Sequence, residues 1–295
     1  MRISFHKILL LQAVFVFNTA CGVSNTEQRQ GEPNGSEPKK DRFEDEIPPA
    51  ASSVCFPGAY YRKAVSSTDY WVGIEGTVIL PIVHLDTTRV NDSRLGRFLD
   101  NSSVYLGGRS DGQETDIGMA WEVVKDEKGN VSKEKKAFRP ILRRSAHSRS
   151  GQASVFKNAP AESRYYWYPG DTVTMRLEVI GDGKLKFSVK GTGKYFEDIF
   201  EANGYKQGTK AEYKRVNAID QAGNEGKPVQ PTTARFLDSK WTEVYLLRSC
   251  NSTVMKASMN KDRFTDMRCP DAKHFDVTVY GDGSSESISI YGTRE

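Results

Sequence analysis

The chain has 295 residues, 37% of them hydrophobic and 27% charged, with a formal net charge of +4. That composition is ordinary for a soluble globular domain, and no block of lysine and arginine is dense enough to make nucleic acid a partner. The first element is an export signal. Arg2, His6 and Lys7 form a short basic segment, and an apolar run follows from Ile8 to Phe17, broken only by Gln12. The run ends in Asn18-Thr19-Ala20-Cys21. A basic start, a short apolar stretch and small residues at its end form a secretory signal, so residues 1–20 are predicted to be a signal peptide. The apolar run is too short to span a membrane, which needs about 20 residues.

The end of this segment resembles the lipobox of bacterial lipoproteins. Thr19 and Ala20 before Cys21 suit that motif, while Asn18 departs from it, since an apolar or small residue usually stands there. In that family the cysteine thiol receives a diacylglycerol and becomes the new N-terminus. The resemblance therefore implies lipidation at Cys21 and a membrane as partner, at the bacterial outer membrane or cell surface. Ordinary cleavage nearby, giving a free secreted protein, is the alternative. From Gly22 to Ser53 the chain is rich in Glu, Gln, Asn, Gly, Pro and Lys, with little apolar content. Such a segment buries too little apolar surface to offset its ordering entropy. Residues 21–53 are thus expected to be a lipid anchor and flexible linker, and residues 54–295 the folded domain.

In the domain, strand follows strand. Tyr70–Leu85 is rich in aromatic and β-branched residues, with Pro81 as an interruption. Ser103–Leu106 is short, and Thr115–Val124 sends Thr115, Ile117, Met119 and Trp121 to one face. Ala137–Leu142, Ala153–Lys157 and Arg164–Tyr168 come next. The clearest hairpin is Asp171–Lys190, turning at Gly181-Asp182-Gly183, with one apolar and one wet face as in an antiparallel sheet. A short helix is predicted over Tyr195–Asn203. Further strands follow at Glu212–Ile219, Trp241–Arg248, Ser252–Met259, Phe275–Tyr280 and Glu286–Tyr291. About a dozen strands with turns between them predict an all-β antiparallel β-sandwich.

Several stretches resemble a family of secreted bacterial proteins of unknown function with a concanavalin-like jelly-roll domain. They are Tyr105-Leu106-Gly107-Gly108, Thr115-Asp116-Ile117-Gly118, Tyr168-Pro169-Gly170-Asp171-Thr172-Val173 with its hairpin, and Tyr213-Lys214-Arg215-Val216-Asn217-Ala218-Ile219. Together they span about residues 70 to 290 in the same order. The resemblance implies a fold and no activity.

The cysteines fit export. If Cys21 carries lipid, three remain, and at most one disulfide can form among them. Cys250 and Cys269 are close in sequence and flank a predicted hairpin, so that pair is expected, with Cys55 bonded to either one as the alternative. No cysteine pair has zinc-ligand spacing. No cofactor or metal is expected. Asn217 to Glu225 could wrap calcium through oxygens, but such a cluster is more often a turn.

Chemistry is hard to find by pattern. Jelly-roll glucanases carry carboxylates at alternate positions of one strand, and nothing here matches. Asp116 and Glu122 share a face but stand six residues apart, about 20 Å along a strand, and Glu243 is a lone acid. His147 lies in a polar loop and reads as a solvated histidine. A binding surface is the better prospect. Tyr165-Tyr166-Trp167-Tyr168 is a dense aromatic run, and aromatics offer stacking area with a polar handle. Tyr105, Trp121, Tyr166 and Trp167 are the candidate platform, with Arg139 as a polar contact. The expected function is lectin-like and non-catalytic, a binding domain for glycan or another envelope ligand. A polysaccharide-acting enzyme and a purely structural or adhesive envelope protein are the alternatives, and some of the aromatics are expected to be core.

Overall fold

A strand sends successive side chains to opposite faces, so an alternating sequence folds by burying one face. The computed structural model describes residues 42–50, 54–91, 98–124, 126, 128–250 and 253–293, so the predicted signal and Cys21 lie outside the described residues. Among the described residues sixteen strands form. They are β1 (Ala59–Ser66), β2 (Trp71–Ile79), β3 (Ile82–His84), β4 (Asp100–Ser110), β5 (Gln113–Val123), β6 (Lys136–Arg144), β7 (Val155–Asn158) and β8 (Thr172–Gly181). After these come β9 (Lys184–Gly191), β10 (Lys194–Glu201), β11 (Ala211–Gln221), β12 (Arg235–Cys250), β13 (Thr253–Ser258), β14 (Phe264–Cys269), β15 (Phe275–Tyr280) and β16 (Ser285–Tyr291).

Two sheets result. One has seven strands in the order β14-β1-β11-β4-β5-β6-β7. The other runs β10-β9-β8-β2-β12-β16-β15, with β13 and β3 also paired to the long β12. Neighbouring strands are antiparallel in both. Val104, Leu106, Ile117 and Met119 of the first sheet meet Ile74, Val78, Leu177 and Trp241 of the second in one continuous buried core. This is the antiparallel β-sandwich expected from the jelly-roll pattern, with more strands than foreseen. Pro81 breaks the first long stretch into β2 and β3, as its missing N–H dictates.

Four expectations need correction. The predicted helix at Tyr195–Asn203 is the edge strand β10, paired along its length with β9. Phe196 and Phe200 are four residues apart, a spacing that one face of a helix and one face of a strand both allow. The same two rings therefore share one face of a strand, and both pack on the core. The predicted strand Arg164–Tyr168 is instead a short 3-10 turn, Ser163–Tyr165, after which Trp167 forms an isolated bridge with Phe138. Tyr166 and Trp167 are both buried, and Trp167 belongs to the main core.

The expected Cys250–Cys269 bond does not form. Cys269 is bonded to Cys55, with Cα atoms 5.6 Å apart. Cys250 and Cys269 are close in sequence yet end strands of different sheets, β12 and β14. Cys55 lies just before β1, whose Tyr61 pairs directly with Cys269. Lastly, part of the expected linker is docked. Phe43 packs edge-on against Trp71 at 5.8 Å. Glu46 is buried, accepting hydrogen bonds from Arg263 at 2.8 Å and from the Ser67 hydroxyl at 2.6 Å. One aromatic ring and one paired carboxylate fasten residues 42–47, which composition alone marks as free, to the folded domain.

Candidate functional site

Strand parity decides what the outer face of the seven-stranded sheet displays. With Val104, Leu106, Ile117 and Met119 turned inward, the residues between them turn outward. The cross-strand pairs on that face are Val216 with Tyr105, Tyr105 with Gly118, Lys214 with Gly107, Gly107 with Asp116, and Asp116 with Arg143. Lys63 on β1 pairs with Val216 and so continues the Tyr105 row. Tyr105 therefore stands on the central strand β4, partly exposed, with titratable groups on both sides.

Two glycines shape this face. A Cβ on Gly107 would lie 2.5 Å from Asp116 Oδ1 and 2.8 Å from Lys214 Cε. Only glycine lets the lysine cross β4 to reach the acid. At Gly118 a Cβ would lie 2.4 Å from the Cβ of Tyr105, so the tyrosine also owes its space to a missing side chain. Lys214 Nζ meets Asp116 at 2.8 Å and also binds Glu114. Burial works against the Lys214 charge, but Asp116 and Glu114 outweigh it and raise the ammonium pKa. Burial likewise raises the Tyr105 phenol, reinforced by Asp116 and Asp220, so the hydroxyl stays protonated. Asp220 accepts a hydrogen bond from Ser103 at 2.7 Å. Burial nevertheless pushes its carboxyl up to about 6, with Asp116 adding to the effect.

Beside this cluster lies a cavity of about 140 Å³. Its walls include Trp121, Glu122, Arg139, Arg143, Phe156 and Asn158. Arg139 is held by Glu122, with Nε 2.7 Å from Oε2, and donates to the Ala159 carbonyl at 2.8 Å. The Arg143 guanidinium lies over the exposed Phe156 ring. Among the described residues it donates only to neutral acceptors: the Leu142 carbonyl at 2.9 Å, the Lys157 carbonyl at 3.2 Å and Asn158 Oδ1 at 3.3 Å.

The candidate platform is thereby divided. Tyr105 and Arg139 stand on the outer face. Trp121 is 6% exposed, tilts against Phe138 at 5.0 Å and belongs to the core, although it contributes to the cavity wall. Trp167 is fully buried, its Nε1 donating to the Gly191 carbonyl at 3.0 Å, and Tyr166 is 1% exposed. Neither Trp167 nor Tyr166 presents a stacking face, which corrects their assignment to the binding surface. Trp167 belongs to the main core and Tyr165 packs against it, after the turn at Ser163–Tyr165.

The acids singled out in the sequence are engaged or exposed. Asp116 and Glu122 do share a face, each in an ion pair. Glu243 is exposed rather than aligned with Trp241, because the register shifts between them. Asn217 to Glu225 is a strand end and turn: Asn217 accepts from Trp241 Nε1 at 2.7 Å, and Asn224 donates to the Pro228 carbonyl at 2.9 Å. Those oxygens serve the fold and do not converge. His147 is buried, not solvated. Its Nδ1 is 2.8 Å from Ser150 Oγ, and its Nε2 stands 3.3 Å from Asp111 without a hydrogen bond, while Arg149 takes the same carboxylate. Asn203 Nδ2 donates to Ser150 Oγ at 3.0 Å, so the histidine braces this loop against the β10 end of the other sheet.

Lys63, Lys214 and Asp220 escaped sequence-based selection. Each alternates correctly within its strand, but only the strand order brings β1, β11, β4, β5 and β6 side by side.

No protein-family model matches the chain, and no curated protein matches it. Solved structures do. A Scytalido-glutamic peptidase bound to a peptide-based transition state analog aligns with a TM-score of 0.46 at 12% identity, covering 79% of this chain and 98% of that one. An alginate lyase from Klebsiella pneumoniae aligns with a TM-score of 0.37 at 12% identity, covering 63% of this chain and 59% of that one. A SAP-like pentraxin from Limulus polyphemus aligns with a TM-score of 0.32 at 11% identity, covering 76% and 91%. Likenesses this distant transfer no chemistry to the groove.

Proposed function

We propose that the chain is an exported protein whose sandwich domain binds an extended glycan along the outer face of the seven-stranded sheet, and that a lipid on Cys21 holds it to a membrane. The observation that carries the binding reading is Tyr105, a partly exposed ring at the centre of the face. Gly118 beside it leaves room for the tyrosine, Lys214 Nζ stands 6.0 Å from its ring centroid, and charged and amide side chains line the adjoining cavity. Aromatic faces bordered by directed hydrogen-bonding groups suit sugar rings, which are apolar on their faces and polar around their rims. The Cys55–Cys269 bond supports an oxidising, extracytoplasmic compartment. No helix among the described residues is long and apolar enough to cross a membrane.

Tyr105→Ala should weaken glycan binding by about 1–3 kcal/mol, by analogy with base–aromatic stacking, in a variant that circular dichroism shows still folded although lost packing on Val216 and its neighbours lowers the melting temperature. Glycan-array screening of both proteins measures this, and equal binding by the variant would exclude the groove. A second reading has one observation behind it. A carboxyl pushed up to about 6, as Asp220 is, can serve as a general acid near neutral pH. Release of reducing ends from a bound polysaccharide, abolished by Asp220→Asn, would make the groove catalytic. The remaining alternative, a structural or adhesive envelope protein, would bind no glycan at all.

A further inference from the structure

The cations on the outer face are of two kinds. Lys214 and Arg139 are satisfied by carboxylates of the protein itself. Lys63 and Arg143 are not: among the described residues, no hydrogen bond or ion pair engages the Lys63 ammonium, and Arg143 reaches only neutral oxygens. The groups that face Lys63 are Lys214, Glu114, Asp116 and Glu212, and those that face Arg143 are Asp220 and Asp116. Two of those acids, Glu114 and Asp116, are already bound by Lys214. Both cations are also partly withdrawn from water, and burial lowers each pKa, that of Arg143 to about 10. Glu212 and Asp220 act on Lys63 and Arg143 only at longer range, so each partly desolvated cation lacks a direct ion pair among the described residues and gains from an anion that arrives with a ligand.

Their placement is informative as well. In the strand order β1-β11-β4-β5-β6, Lys63 stands on β1, Tyr105 on β4 and Arg143 on β6. At roughly 4.8 Å between strands, four spacings put the two cations about 19 Å apart across the sheet, with the tyrosine between them. That span exceeds a single sugar and suits a chain.

We infer that the groove is specific for a polyanionic glycan, whose acidic groups are held by Lys63 at one end and Arg143 at the other while a sugar ring lies on Tyr105. This rests on the glycan reading above and names the class of ligand. The acid is a carboxylate or a sulfate, two anions of the same charge that both cations accept; Arg143 can present a planar fork to either.

The test uses the full domain and three probes of known chemistry: polygalacturonate, dextran sulfate and neutral dextran. Binding is measured by affinity electrophoresis and titration calorimetry for the wild type, Lys63→Met, Arg143→Gln and the charge-preserving Lys63→Arg and Arg143→Lys. At least one polyanion is expected to bind and dextran not, and the better polyanion identifies the acid. Each neutral substitution should cost about tenfold or more in affinity, the weight of one charge-assisted hydrogen bond, and the charge-preserving variants should recover most of it. Lys63→Met should melt like the wild type, since Lys63 has no partner to lose, which keeps the test sound even if Arg143→Gln unfolds. Equal binding of dextran and the polyanions, or polyanion binding indifferent to Lys63→Met, overturns the inference and leaves the groove a neutral-glycan site. Binding of none of the three, extended by an empty glycan array, overturns the glycan reading itself.

Discussion

Burial keeps the Asp220 carboxyl protonated up to about pH 6, against an ordinary value of 3.8. The unfolded chain gives up that proton at lower pH than the folded one does. The folded state therefore binds the proton more tightly, and the stability this confers is fully present below about pH 4 and lost as pH rises through about 6. Asp220→Asn removes the titration while leaving an acceptor for the Ser103 hydroxyl. The variant should show a flatter melting temperature between pH 4 and 7 and melt higher than the wild type at pH 7. Parallel melting curves across that range would show that Asp220 titrates normally. The same residue shows the limit of sequence-based selection. An aspartate near the end of a strand, beside Gln221 and Ala222, carries no local mark of a raised pKa; the shift comes from burial in the folded sheet, with Asp116 on β5 adding to it.

At the scale of elements, the sandwich is pinned by charge as well as by apolar packing. Glu286 on β16 of one sheet meets Arg62 on β1 at 2.9 Å and Arg215 on β11 at 3.1 Å, all three side chains 1% exposed. Arg215 also lies over the Phe264 ring at 5.1 Å, and Arg62 reaches Asp266 at 3.2 Å. The Glu286 carboxylate bridges both buried guanidinium groups, so losing it leaves Asp266, which is half-exposed, to face two buried cations. Glu286→Gln should cost about 3–5 kcal/mol in urea unfolding, the usual price of orphaning a buried charge. A loss under about 1 kcal/mol would mean that water enters the sheet interface there. None of the three residues stands out in the sequence, because each sits at an inward position of its strand where an apolar residue is expected.

For the whole molecule, the fastening of the N-terminal arm matters more than its composition suggests. The Cys55–Cys269 bond closes a sequence separation of 214 residues, and Phe43 and Glu46 dock ahead of it. A tether from the membrane would therefore be short and would end on the folded body before β1. If Cys21 carries lipid, Cys21→Ser should move the protein from the membrane to the soluble fraction. Mass spectrometry of the wild type should then show a mature chain lacking the signal and carrying acyl mass on Cys21. Unchanged membrane retention of the variant, or an intact signal in the mature protein, would exclude the anchor.

Strand identity was legible because alternation is local: β5, the β8–β9 hairpin, β15 and β16 follow from which neighbours are apolar. β1 and β14 were not foreseen, since polar inward residues such as Arg62 blur the pattern. The groove was legible in part. Tyr105 and Arg139 could be named from the sequence, but Trp167 and Tyr166 could not be told from core, because exposure depends on what covers a face. The disulfide pairing, the inter-sheet charge cluster and the two unpaired cations were decided only by tertiary structure. Each depends on residues far apart in the chain, and no local property of a sequence records which strands lie side by side.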